Sequence, residues 1–347
     1  MSSRTTGIVH GPRFKDHFPG ENHPESPARI DAVGRAIAAP SVAAACKLLP
    51  QRAAEREEIL LVHSDRHFEE IEATAKQPRV FLDSDTVTSP ASAEVARLAV
   101  GSVLATVDAV MDRQVANGFA FVRPPGHHAK PDKAMGFCLY NNIAIAAAYA
   151  SRRHGLKRVL IVDFDLHHGN GTQKAFYTSP EVLYVSTHQW PHYPGTGTLD
   201  ETGKDAGEGF TLNLPLPAGT GDYEYRELFR QVVVPVGSEY RPELVLVSAG
   251  FDAYVEDPLG SMALTQLGYA AMARQIIELA EKHCAGRAVF VLEGGYHLPG
   301  LQKSALAVLE VMTGVSEGGE EIEPGRSVAP LVDAVRQVHG RFWSCLR

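Results

Sequence analysis

Residues 161–170 read IVDFDLHHGN. An apolar run passes without a break into two aspartates and two adjacent histidines. Charge at the end of a buried strand is costly unless something compensates it. Side chains two apart in an extended segment share a face. Asp163, Asp165 and His167 therefore point one way as the strand leaves its sheet. His168 points the other way and is expected to be structural.

The strand in question, RVLIVDFD (158–165), is one of five runs of similar design. The others are GFAFVRPPG (118–126), VLYVSTH (182–188), ELVLVSAGFD (243–252) and AVFVLEGGY (288–296). Each is rich in Val, Leu, Ile or Phe and ends in polar or glycine-rich residues. Stretches with helical periodicity lie between them, at 92–113, 141–155, 225–240 and 267–284. Repeated strand-then-helix order predicts an α/β fold with a central, mostly parallel sheet covered by helices on both faces. In such sheets a site collects outside the carboxyl ends of the strands, where several loops converge.

The chain has 347 residues, 44% hydrophobic and 21% charged, which is ordinary globular composition with enough apolar surface for a large core. No internal repeat or linker interrupts the alternation before an acidic, glycine-rich stretch at 313–327, read as a solvated loop. Residues 328–347 have helical spacing and are expected to pack back on the body, so 1–347 is taken as one domain. Near the start, Pro27 is placed in the first turn of a helix that continues through Ala36. Four scattered cysteines without a CxxC pair, and an N-terminal stretch without the apolar core of a signal peptide, lead to the expectation of a reducing cytoplasm. No segment approaches the eighteen or so consecutive apolar residues that span a bilayer. A net charge of −8 disfavours direct nucleic-acid binding and suits encounter with cationic ligands, although solubility alone explains many such balances.

Asp252 ends the run at 243–252 and so lies at the same sheet edge as Asp165 and His167. Two carboxylates and one imidazole leave a tetrahedral ion with an open position, as in catalytic rather than structural zinc sites. Iron or cobalt suits the same donors. Taken singly, each of these residues is more often a helix cap or a space-filler. Both acids, both histidines and the GNG turn together are hard to read as capping.

Two further clusters end strands at this edge. RPPGHHAKPDKAMGFC (123–138) supplies His127 and His128, and both can reach one site only from a loop, which PPG provides. One of them can act as general base to a metal-activated water and then as acid to a leaving group. LEGGY (292–296) brings Tyr296 after two glycines, where a phenol can donate to a developing oxyanion.

In this order, RPPGHHA, GFCLYNN, DFDLHHGNGTQ, HYPGTG, SAGFDAYVEDPLG and LEGGY resemble the zinc-dependent histone deacetylase superfamily, which has the arginase-like fold. The resemblance covers roughly residues 7–312. It implies hydrolysis of an N-acetyl amide at one zinc ion, with Asp165, His167 and Asp252 as ligands, Tyr296 polarising the acetyl carbonyl and His127 and His128 flanking the attacking water. It makes His128 the main base and acid, pairs His127 with Asp163, and pairs His128 with Asn170, an asparagine typical of class II members. An uncharged partner should leave His128 less basic than His127. The resemblance also implies a structural potassium ion near Asp163, Asp165, His167, Ser186 and Thr187. It implies a substrate slot between Gly136–Phe137 and Tyr193, with Asp85 on the rim and Leu259 at the gatekeeper position. Arg29 matches an internal arginine near an acetate exit path and reads equally well as a structural ion-pair partner.

The implied substrate is acetylated lysine in a protein or peptide. An acetylated polyamine or other small acetylated amine is the alternative, which the acidic charge suits and Leu259 argues against, because an acidic gatekeeper would be needed to bind the second cation. A dimanganese hydrolase would need more bridging acids than Asn170 allows, and a non-catalytic acyl-lysine reader would not need Tyr296 with both histidines. A homo-oligomer is compatible with the sequence.

Overall fold

The computed structural model describes residues 4–316 and 321–347. Ten strands occur among them: β1 (Thr6–Val9), β2 (Cys46–Leu48), β3 (Val80–Phe81), β4 (Val87–Thr88), β5 (Asn117–Ala120), β6 (Val159–Asp163), β7 (Val182–Gln189), β8 (Thr211–Leu216), β9 (Leu244–Ala249) and β10 (Ala288–Leu292). Eight form one sheet in the order β2-β1-β5-β10-β9-β6-β7-β8, and every pairing in it is parallel. The antiparallel pair β3–β4 stands apart as a small hairpin. The five apolar runs are the centre of the sheet. Its flanks, β1, β2 and β8, are short or interrupted by Pro215, so their sequence pattern is weak.

Successive strand residues serve opposite faces. Leu160 and Val162 of β6 join the core beneath the helices Gln266–Cys284 and Leu298–Thr313, while Val159 and Ile161 join the core beneath Ser92–Met111 and Asn142–His154. Burial on both faces is why these strands read as continuous apolar runs rather than alternating ones.

Helix boundaries follow local chemistry. Asn141 caps Asn142–His154 by accepting from Ala144 N at 3.0 Å, and Gly155 closes it in the left-handed conformation at φ 70°. The first long helix spans Ala28–Ile37, so that Pro27, expected in its first turn, is its N-cap, and the helix runs one residue beyond the expected Ala36. The periodic stretch 225–240 is not one α-helix: Phe229–Val233 widens into a π turn between Asp222–Leu228 and Val234–Tyr240. Pro235 lacks the N–H that would bond back to Gln231 and crowds that turn. Within the acidic stretch, residues 317–320 lie outside the described residues, and 321–327 is irregular and mostly exposed. The helix Ala329–His339 then buries Val332 and Val335, and Trp343 docks by donating from Nε1 to the Gly209 carbonyl at 3.0 Å. No helix among the described residues is long and apolar enough to cross a membrane.

A buried ion network ties the N-terminal segment to the sheet. Glu25 pairs with Arg123 and Arg29, all fully buried, and Arg123 also donates to the carbonyls of Phe14 and His17 at 2.7 and 3.2 Å. Burial resists ionisation of Glu25, yet the Arg123 charge and hydrogen bonds, with Arg29, hold its carboxyl down at about 2. A depressed carboxyl stabilises the fold above its ordinary value and loses that contribution as pH falls towards its folded value. Glu25→Gln, which leaves both guanidinium groups buried without an anion, should therefore destabilise the protein by about 3–5 kcal/mol at neutral pH. It should also flatten the pH dependence of stability between 4.5 and about 2. Denaturant unfolding across that range checks both, and a variant as stable as wild type at pH 7 would contradict the network's role.

Candidate active site

Strand β6 pairs with β9 so that Asp163 faces Ser248. Both chains leave the sheet just beyond this register, which brings Asp165 and His167 beside Asp252. All three are buried, and their ligand atoms lie within 4.8 Å of one another. His167 Nδ1 is 3.1 Å from Asp165 Oδ1 and 3.0 Å from Asp252 Oδ2. The remaining carboxylate oxygens are held by backbone amides: Gly294 N donates to Asp165 Oδ2 at 2.8 Å and Leu166 N to Asp252 Oδ1 at 2.9 Å. Glycines leave the space. A Cβ on Gly250 would fall 1.9 Å from Asp165 Oδ2, and one on Gly294 would fall 2.1 Å from Asp252 Oδ2. Burial works against protonation of His167, but Asp165 and Asp252 outweigh it and raise its pKa to about 9. Two oriented carboxylates and one imidazole in a glycine-lined cradle fit a divalent cation with a position left open. Among the described residues this is the one such group of three.

His127 and His128 come from the loop after β5, with ring centroids 4.1 Å apart. His127 Nδ1 lies 3.1 Å from Asp163 Oδ2, which also accepts the Tyr184 hydroxyl at 3.0 Å. His128 Nδ1 lies 2.8 Å from Asn170 Oδ1. The two imidazoles are electrostatically unlike. Burial opposes charge on both, but Asp165 and Asp163 raise His127 to about 10, whereas the positive neighbours His127 and His167 hold His128 well below the usual histidine range. His168 bonds Thr196 Oγ1 at 2.8 Å and Gln173 Oε1 at 2.9 Å, away from the donor cluster.

Above the cluster is a cavity of about 250 Å³, lined by Asp85, His128, Gly136, Phe137, His167, His192, Tyr193, Leu259 and Tyr296. Phe137 is held at φ 67° with its N–H donated to Thr86 Oγ1 at 3.1 Å, and its ring meets Tyr296 edge-on at 5.9 Å. Asp85 reaches the rim from the loop between β3 and β4, where Thr86 Oγ1 donates to its Oδ1 at 3.2 Å. Arg29 donates from Nε to the Gly295 carbonyl at 2.8 Å and also to the Glu293 carbonyl, with its guanidinium 5.2 Å from the Tyr296 ring centroid. Ser186 and Thr187 lie in β7 beside Asp163. Ser186 Oγ is 2.9 Å from His188 Nδ1, and Thr187 Oγ1 donates to the Asp163 carbonyl at 3.4 Å.

Three residues at this site carry no sequence assignment. Glu293 accepts from Gly126 N at 2.6 Å and His127 N at 3.1 Å through Oε2, and from Ser248 Oγ at 3.0 Å through Oε1. Burial pushes its carboxyl up to about 7. His192 stacks on His167 at 5.2 Å and donates from Nε2 to the Leu259 carbonyl at 3.0 Å. Asp257 accepts from the Tyr296 and His297 amides. All three stand inside quoted motifs, so their type was visible, but nothing in the sequence says which backbone groups or rings they face.

Residues 23–312 match the histone deacetylase domain. The chain is 37% identical to a probable deacetylase of Archaeoglobus fulgidus, over 99% of both sequences. It is 38% identical to the chloroplastic histone deacetylase 14 of Arabidopsis thaliana, covering 92% of this chain and 81% of that one. The crystal structure of the HDA15 HD domain superposes with a TM-score of 0.91 at 38% identity, covering 99% of this chain and 96% of the other. With the sheet order, the helices on both faces and this degree of identity along almost its whole length, the chain belongs to the histone deacetylase family, a family of amide hydrolases.

Proposed function

We propose that this protein is a zinc-dependent lysine deacetylase, removing acetyl or other short acyl groups from the Nε amine of lysine in proteins or peptides and releasing the acid. The observation that carries this reading is the buried Asp165–His167–Asp252 cluster at the floor of a narrow cavity that also presents His128 and Tyr296. A cavity of about 250 Å³ suits one linear acyl-lysine stem, and Phe137 and Tyr193 supply aromatic walls to desolvate it.

Asp165, His167 and Asp252 would hold the zinc ion, which when bound supplies Lewis acidity to the acyl carbonyl and lowers the pKa of water. The chain's own groups do the rest. Asn170 Oδ1 faces His128 Nδ1, so that nitrogen carries the hydrogen and Nε2 keeps its lone pair. Nε2 then accepts a proton from the attacking water and passes it to the leaving amine. His127, oriented through Nδ1 by Asp163 Oδ2, would flank the attacking water opposite His128. The Tyr296 hydroxyl stabilises the developing oxyanion. Asp85 on the rim is placed to accept from a substrate backbone amide, and Leu259 puts an apolar side chain at the gatekeeper position in place of an acid. A potassium ion near Asp163, Ser186 and Thr187 belongs to the same reading.

Zinc-loaded protein should release acetate from an acetyl-lysine peptide with a higher kcat/KM than from acetylpolyamines. The reverse ranking would move the assignment to a small-amine amidohydrolase, and no turnover on either would overturn it. Chelation should abolish turnover and zinc should restore it, while Asp252→Asn should bind less than one zinc per chain by metal analysis. Tyr296→Phe should lose about 10²–10³-fold in kcat while retaining zinc, and unchanged turnover would refute its proposed role.

A further inference from the structure

Tyr296 is mounted on a segment with little stiffness of its own. It follows Gly294 and Gly295, and Gly295 sits at φ 114°, a conformation open to glycine and strained for other residues. An oxyanion donor must lie about 2.7–3.1 Å from where the charge develops, so something outside the glycine pair has to fix the backbone that carries it.

Asp257 is in position to do so. Its Oδ2 accepts two consecutive amides just after the glycines, Tyr296 N at 2.7 Å and His297 N at 3.0 Å. Its Oδ1 accepts Leu259 N at 3.1 Å. The side chain is buried, with 6% of the residue exposed, and among the described residues no Lys, Arg or His pairs with it. Burial and the neighbouring Asp252 charge push its carboxyl up to about 6, and the three backbone amides work against that in place of a cation. The second oxygen extends the connection across the cavity: Leu259 lines the wall, its carbonyl accepts from His192, and His192 stacks on His167.

We propose that Asp257 is a positioning residue for the hydrolysis, fastening the backbone of Tyr296 to the turn that carries Leu259 so that the phenol and the cavity wall are set together. The inference rests on the reading of Tyr296 as the oxyanion donor. Misplacement of a reacting group by about 1 Å can cost about 10²-fold in rate, which sets the scale of the effect. Asparagine cannot replace the carboxylate fully, because its NH₂ end must face an amide N–H on one side or the other.

A double-mutant cycle on zinc-loaded enzyme tests this. Asp257→Ala should lower kcat by about 10–100-fold, with a smaller change in KM and zinc content unchanged. Added to Tyr296→Phe, it should cost less than about threefold more, because the donor it positions is already gone. Asp257→Asn, the milder variant should Ala fold poorly, should lose about 3–10-fold in kcat and show the same absorption into the Tyr296→Phe background. Losses that multiply in either cycle, or wild-type kcat in Asp257→Ala, would overturn the proposal. Hydrogen exchange at the Tyr296 and His297 amides reads the fastening without the reaction. It should accelerate at least about tenfold in Asp257→Ala with β10 protection unchanged, and unchanged exchange at those two amides would also overturn it. Full turnover by Tyr296→Phe alone would mark failure of the functional reading, whereas loss there combined with multiplicative Asp257 effects would mark failure of this inference alone.

Discussion

Everything at the site depends on the parallel pairing of β6 with β9. With Asp163 opposite Ser248, the carboxyl ends of two adjacent strands stop level, and Asp165 and Asp252 emerge on either side of the His167 imidazole. A one-residue slip would turn every side chain of a strand to the other face. It would carry Leu160 and Val162 out of one core and the acids away from the donor cluster. The sheet core and the site are therefore fixed by the same register, and the large apolar surface buried against it holds concentrated negative charge where charge is otherwise expensive.

The loop after β10 is controlled from three directions. Glu293 binds the amides of the loop bearing His127, Arg29 binds the carbonyls of Glu293 and Gly295, and Asp257 binds the amides that follow. Arg29 is in turn held by Glu25, which also anchors Arg123 at the start of the histidine loop. One connected set of buried charges thus spans the helix Ala28–Ile37, the loop after β5 and the loop after β10. The same groups that make this network costly to break also hold the loops that bring His128 and Tyr296 to one cavity, with His127 packed behind His128. In the network Arg29 is a structural partner whose cation also lies over the Tyr296 ring.

Much of this was legible in the chain. The five apolar runs are the five consecutive central strands of the sheet, because burial on both faces leaves an unbroken hydrophobic signal. The alternation of Asp163, Asp165 and His167 marks the acidic edge, but β6 ends at Asp163 and residues 165–167 lie in the bend beyond it, so Asp165 and His167 meet Asp252 through the path of the loop and not along a strand face. What stayed hidden has common causes. β1, β2 and β8 are short or proline-bearing flanking strands without a strong pattern, the π turn at Phe229–Val233 answers to a single Pro235, and the hairpin β3–β4 spans only two residues a side. His192 was passed over beside Tyr193, since no spacing rule places a loop histidine against the ring of another from 25 residues earlier in the sequence.

By itself, the sequence determined which residues could do chemistry and that their strands end at one edge, because residue type and local periodicity are properties of short segments. The tertiary structure alone decided that Glu293 holds the histidine loop and Asp257 the backbone of Tyr296, and it set the contacts of Asp163 with His127 and Asn170 with His128, pairs that only the family resemblance had implied. Each of these contacts joins groups at least 36 residues apart in sequence, and most go through backbone amides or one particular ring nitrogen. Such pairings arise only when strand order and loop paths are fixed, and no local pattern encodes them.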